Sequence, residues 1–247
     1  MSAVLTGRVA LVTGASLGIG AAIAQRLAAE GAAVCLTYRS SQQAAKDVVA
    51  AIESSGGRAM ARRADSADPD AVAAAVESAA QTFGGLHILV NNAGYARVGP
   101  IEELTLDDYD RVTAVNVRAY WVAARAALRH LKDGGRIINV GSIFADALPS
   151  GGYSIYTTTK AAVAGMTRAL GRELAPRGIT VNNVQPGSIN TPGNPQDTAF
   201  ADMMRRLIPA GRFAQPGEVA DLVAFLAGPA AGYINGASLD IDGALNT

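Results

Sequence analysis

The chain has 247 residues, 49% hydrophobic and 17% charged, which supplies a full core and lacks the signature of disorder. Its 21 Lys and Arg balance 21 Asp and Glu, which argues against a nucleic-acid binder, since that needs a basic face to displace counterions from phosphate. A single cysteine, two distant histidines and no apolar run near the ~18–20 residues of a bilayer span argue against a disulfide framework, a metal cluster and a membrane helix, leaving a cytoplasmic protein as the expectation.

Short apolar runs alternate with Ala-rich segments of helical spacing. Strands are predicted at 8–12 and 33–38, separated by a helix at 18–30 that Gly31 closes. A helix at 42–54, stopped by Gly56-Gly57, precedes a strand at 59–64, and Pro69 opens the next helix at 69–83. A strand at 86–90, a long helix at 106–131 and a strand at 136–140 follow. The remainder reads as helix 156–175, strand 180–184, helix 216–226 behind Pro216, and strand 238–241. The irregular stretch 186–201, rich in Pro and Gly, is expected to be a functional loop. Strands apolar throughout need cover on both sides, as parallel sheets do. The expected fold is therefore a single-domain α/β Rossmann fold over residues 1–247, a doubly wound seven-stranded parallel sheet with helices on both faces.

The first strand runs into Thr13-Gly14-Ala15-Ser16-Leu17-Gly18-Ile19-Gly20, and a helix follows at once. Three glycines at that junction let backbone amides approach a pyrophosphate, and the helix N-terminus adds partial positive charge. Tyr156 and Lys160 stand four apart in a helical segment, so both project from one face. With seven Tyr and three Lys in 247 residues, chance supplies only about 0.1 such pair. A nearby ammonium can lower a phenol from its usual ~10 by ~1–3 units, toward the range of a working acid or base.

Together with Asn91-Asn92-Ala93-Gly94 after the fourth strand, Asn116, Ser142, and Pro186-Gly187 followed by Thr191, these motifs run in order along essentially the whole chain. The set resembles the short-chain dehydrogenase/reductase family. That resemblance implies an oxidoreductase that transfers hydride between NADP(H) and a ketone or aldehyde, reversibly a secondary alcohol, without a metal. It implies a cofactor site of Gly14, Ser16, Leu17, Gly18, Ile19 and Gly20, then Tyr38, Arg39 and Ser40, with Asp65 and Ser66 at the adenine edge. Asn92, Ala93, Gly94, Tyr156, Lys160, Pro186, Gly187, Ile189 and Thr191 complete it. NADP(H) is favoured over NAD(H): Tyr38 stands about where NAD-type members carry Asp, and Arg39 can fork onto a 2′-phosphate. Leu17, however, occupies a position where many NADP-type members have a second basic residue.

The implied catalytic set is Asn116, Ser142, Tyr156 and Lys160. Tyr156 exchanges the proton, Lys160 tunes it with help from the oxidised nicotinamide's charge and holds the nicotinamide ribose, Ser142 donates to the substrate oxygen, and Asn116 holds a water that relays protons toward Lys160. Expected substrate walls are Ser142, Phe144, Leu148, Tyr153, Tyr156 and Ser188, beneath a lid at about 186–210. Relatives form tetramers through helix 156–175, where Ala161, Ala162, Gly165 and Ala169 admit a close neighbour, so a homotetramer is expected. Cys35, His87, His130 and Trp121 read as structural. A 3-oxoacyl-acyl-carrier-protein reductase of fatty-acid synthesis would carry the same motifs. A non-catalytic NADP(H)-sensing module would keep the glycine turn but has no use for Tyr156, Lys160 and Ser142.

Overall fold

Strand β1 (Val9–Val12) shows how the apolar pattern builds the sheet. Ala10 and Val12 point into one core with Ile23, Leu27, Val48 and Val223, whereas Val9 and Leu11 point into a second with Val72, Val76, Tyr120 and Val163. In the computed structural model, which describes residues 3–148 and 150–247, β1 is central in a wholly parallel sheet. Met1 and Ser2 of the sequence reading lie outside the described residues. The other strands are β2 (Ala33–Tyr38), β3 (Arg58–Arg63), β4 (Leu86–Asn91), β5 (Leu131–Val140), β6 (Thr180–Pro186) and β7 (Ser238–Ile241). Their order is β3-β2-β1-β4-β5-β6-β7, the seven-stranded arrangement expected.

The helices are α1 (Gly18–Ala29), α2 (Gln42–Ser54), α3 (Pro69–Phe83), α4 (Leu106–Thr113), α5 (Ala119–Ala127), α6 (Ser154–Leu174), α7 (Ala199–Leu207) and α8 (Pro216–Ala227). Residues of α1, α2 and α8 bury one sheet face, and residues of α3, α5 and α6 bury the other. Local signals act where they stand in the sequence. Asp68 caps α3 by accepting from the Asp70 and Ala71 amides, with Pro69 in the first turn, and Gly31 and Gly56 take φ of +94° and +81° past the ends of α1 and α2.

Two predictions need correction. The helix expected over 106–131 is three pieces: α4, opened by a Thr105–Asp108 capping box, a π-turn (Ala114–Arg118), and α5, after which the chain enters β5 at Leu131. The wider π-turn holds Asn116 in the interior, where its amide bonds to groups on other segments, and apolar periodicity does not encode that. The loop expected over 186–201 leads into an unpredicted helix, α7. Thr198 caps it, and Ala201 and Met204 pack with Ile208, Phe213 and Leu245 in a small core of their own.

From β1 the chain winds outward through β2 and β3, then returns to β4 on the other side of β1. The carboxyl ends of β1 and β4 therefore face a crevice at the switch of winding direction, where open α/β sheets bind ligands.

Candidate active site

At that crevice the turn from β1 to α1 presses against the end of β4. Gly14 has φ +63°, and a Cβ on it would approach the Ala93 Cα to 2.8 Å. A Cβ on Gly20 would lie 2.4 Å from Asn92 Nδ2. Threonines lock this contact: the Thr37 hydroxyl accepts from the Gly14 amide at 3.0 Å, and the Thr13 hydroxyl accepts from the Asn92 and Ala93 amides at 3.0 and 3.1 Å. Asn92 Nδ2 donates back to the Thr13 and Gly14 carbonyls at 2.9 and 3.0 Å. Leu17 at the head of α1 offers no capping side chain and the first turn holds no acid, so its amides are left for an anionic ligand. This open, uncapped turn fits a dinucleotide pyrophosphate.

The resulting cleft, about 470 Å³, is lined by Gly14, Leu17, Gly18, Ile19 and Gly20 and by Asn92, Gly94, Tyr95 and Ala96. Val140, Gly141, Ser142, Tyr156 and Lys160 form another part of its lining, and Pro186, Gly187, Ile189, Thr191, Pro192, Gly193 and Asn194 a third. Ser16, Tyr38, Arg39, Ser40, Asp65, Ser66 and Ala93, expected at the cofactor, are outside this lining. Tyr38 and Arg39 nevertheless directly follow Thr37, which binds the glycine turn. Arg63 Nε donates to the Arg39 carbonyl at 3.3 Å, a second guanidinium brought in from β3. Only the register that pairs Tyr38 with Arg63 reveals it. The Asp65 carboxylate accepts from the Ala67 amide at 2.9 Å and faces Arg111 at 3.4 Å.

Tyr156 and Lys160 both reach the cleft from α6. Lys160 is 3% exposed, its Nζ donates to the Val140 carbonyl at 2.9 Å, and it lies 5.5 Å from the Tyr156 ring centroid. Burial brings its pKa down to about 8. The same desolvation raises Tyr156, with Ser142 hydrogen bonding pulling the other way and Tyr153 adding to the rise. In the cofactor-free protein the phenol therefore lies above its ordinary value, with burial as the first cause, whereas the expected lowering draws on the ammonium together with the positive charge of an oxidised nicotinamide. Ser142 is buried on the turn after β5, where its hydroxyl accepts from the Phe144 amide at 3.2 Å.

Asn116 does not line the cleft but braces it. Its side chain accepts from the Tyr95 amide at 2.9 Å and donates to the Tyr95 carbonyl at 2.9 Å and the Thr159 hydroxyl at 3.0 Å. Thr159 in turn donates to the Tyr156 carbonyl at 2.7 Å. Tyr95 and Thr159 carried no sequence signal beyond adjacency to the Asn-Ala-Gly and Tyr–Lys motifs.

Of the expected substrate walls, Phe144 and Tyr153 meet edge to face at 4.9 Å and flank Tyr156 at 6.1 and 6.5 Å, while Leu148 is exposed on the same connection. Ser188 instead lines a separate small cavity with Arg212, Glu218 and Asp242. Adjacent residues of an extended segment point to opposite sides, so Ile189, bridged to Ala214, takes the cleft and Ser188 faces away from it. Cys35 is buried, with its thiol pushed up to about 12, and His87 and His130 are absent from the cleft lining.

Similarity to known proteins extends over nearly the whole chain. The protein belongs to the short-chain dehydrogenase/reductase family, and the family description that matches, over residues 14–246, is enoyl-(acyl carrier protein) reductase. It is 44% identical over 239 residues to the cyclic-di-GMP-binding biofilm dispersal mediator protein of Escherichia coli K12, covering 97% of each chain. Over 249 residues it is 39% identical to 3beta-hydroxysteroid dehydrogenase 1 of Eggerthella lenta, covering 98% of this chain and 94% of that one. A solved short chain dehydrogenase from Burkholderia cenocepacia J2315, in complex with NADP, is 54% identical with a TM-score of 0.97, covering 99% of this chain and 100% of that one.

Proposed function

We propose that the protein is an NADP(H)-dependent carbonyl reductase, reversibly a secondary-alcohol dehydrogenase, working as a single catalytic domain. The observation that carries this reading is the meeting of Tyr156, Lys160 and Ser142 in a cleft whose opposite wall is an uncapped glycine turn. Gly14, Gly18, Ile19 and Gly20 would hold the pyrophosphate, Lys160 the nicotinamide ribose, and Arg39 with Arg63 the 2′-phosphate. The bound cofactor supplies the hydride. NADP in the Burkholderia relative supports the choice of cofactor.

Burial keeps the Tyr156 hydroxyl protonated at neutral pH, so it is a proton donor to the oxygen of a bound ketone. Ser142 donates a second hydrogen bond to that oxygen as negative charge develops. Lys160, with a pKa of about 8, is mostly charged at neutral pH and stabilises the phenolate left behind. Asn116 holds Tyr95 against α6, both hydrogens of its side-chain amide being taken by the Tyr95 carbonyl and the Thr159 hydroxyl, so the water relay expected of it does not run through that amide group.

Phe144 and Tyr153, which flank Tyr156 outside the cleft lining, favour a bulky apolar or aromatic ketone, with Leu148 on the same connection, and among the described residues Lys160 is the one charged side chain in the lining. A steroid named for the Eggerthella relative belongs to that class. The carrier-protein thioester reading is set apart by assaying carrier-bound against free ketones. Residues 186–210, including α7, form the substrate lid in this reading. The exposed Ala161, Ala162 and Ala169 on α6 form a contact face of a homotetramer, and the setting is the cytoplasm, in keeping with the one free, buried cysteine.

Tyr156→Phe, which keeps the ring and removes the proton, should reduce NADPH-dependent ketone turnover by about 10²–10⁴-fold while leaving NADPH binding nearly intact. Retained turnover in that variant refutes the assignment.

A further inference from the structure

The Val140 carbonyl, at the end of β5, accepts two side-chain donors at once: the Lys160 ammonium at 2.9 Å and the Tyr120 hydroxyl at 3.1 Å. Tyr120 comes from α5, is 1% exposed, and has its ring centroid 6.0 Å from Lys160 Nζ. Phenylalanine would fill the same apolar volume, so the hydroxyl serves the carbonyl and whatever the carbonyl holds. Among the described residues, that carbonyl is the one hydrogen-bond acceptor of the ammonium. Two hydrogens on one sp² oxygen occupy separate lone pairs and repel each other, both being positive.

We infer that Tyr120 is a positioning residue for Lys160: by sharing the Val140 carbonyl, its hydroxyl sets where the ammonium sits and how firmly it is held. Confined to one lone pair, Lys160 keeps its other N–H bonds for the cleft it lines. The inference rests on Lys160 being a working residue of this cleft. The titratable groups that face Nζ are the phenols of Tyr120, from α5, and Tyr156, from α6. Among the described residues no carboxylate or second cation contributes to its titration.

With three lysines in the chain, Lys46, Lys132 and Lys160, ¹³Cε-lysine NMR of the whole protein gives a resolvable set of titrations. The resonance with a midpoint near 8, assigned by its loss in Lys160→Met, reports the amine directly. In Tyr120→Phe the carbonyl is released to the ammonium, and the midpoint should rise by about half to one pH unit, the equivalent of one ordinary hydrogen bond. The pH profile of ketone reduction should move with it, with kcat lower and the ketone KM unchanged. Incorporation of 3-fluorotyrosine at position 120, a stronger donor of nearly the same shape, should move the midpoint down, and it covers the case in which Phe does not fold. Midpoints unchanged in both variants, or moving in the same direction, overturn the proposal, as does a lower Tm with no titration change. Absence of carbonyl turnover in the wild type would sink the reductase reading, whereas the lysine titration decides the role of Tyr120 independently.

Discussion

Replacing Lys160 by methionine should stabilise the cofactor-free protein at neutral pH while removing its activity. Lys160 is 3% exposed, and its pKa falls from 10.5 in solvent to about 8 in the fold. At ~1.36 kcal/mol per unit, that difference is an energy of roughly 3 kcal/mol opposing folding. The folded chain binds this proton less tightly than the unfolded one, so the opposing energy is fully present below the folded value. It fades as pH rises from about 8 to 10.5, and over that window the wild type gains stability. Methionine removes the charge but leaves the Val140 carbonyl with Tyr120 as its remaining side-chain donor, a loss of ~1 kcal/mol. The net gain is about 2 kcal/mol at pH 7, or roughly 4 °C in Tm at the entropy of unfolding of a chain this long. Circular-dichroism melts of both proteins from pH 6.5 to 10 test it, with the gap expected to close toward the alkaline end. A variant that melts at or below the wild type at pH 7, or a gap that does not narrow with pH, refutes charge burial as the dominant energy at this position.

Gly20→Ala should cost about 2–4 kcal/mol and weaken NADPH binding by more than about tenfold in a fluorescence titration, because the new Cβ would fall 2.4 Å from Asn92 Nδ2. A variant as stable and as tight as the wild type argues against the close approach of the two loops. Arg39→Ala combined with Arg63→Ala should lower the NADPH-over-NADH ratio of kcat/KM by about 10–100-fold, and an unchanged ratio removes both from the phosphate site. Since burial raises Tyr156, ketone reduction should vary little between pH 6 and 7 and decline as Lys160 loses its proton near pH 8, while alcohol oxidation, which needs the phenolate, should climb with pH from 6 to 8. An oxidation rate that is flat or falling over that range contradicts Tyr156 as the base.

Much of this molecule is written in neighbouring residues. The unbroken apolar run of β1, the glycines that end α1 and α2, Pro69 behind the Asp68 cap, and the four-residue interval that sends Tyr156 and Lys160 into one cleft all depend on a few adjacent positions, so they are legible without coordinates. Other features depend on what the chain meets after folding. Strand register alone brings Arg63 to Arg39, and an extended bridge alone turns Ser188 away from Ile189. The π-turn that aims Asn116 at Tyr95 and Thr159, and the Tyr120 hydroxyl that reaches Val140, join groups 20 to 43 residues apart. Even the sign of the Tyr156 shift belongs to this second class. Sequence spacing shows that an amine stands one turn away, but desolvation is a property of the packed interior, and in the cofactor-free fold it is the first cause of the rise.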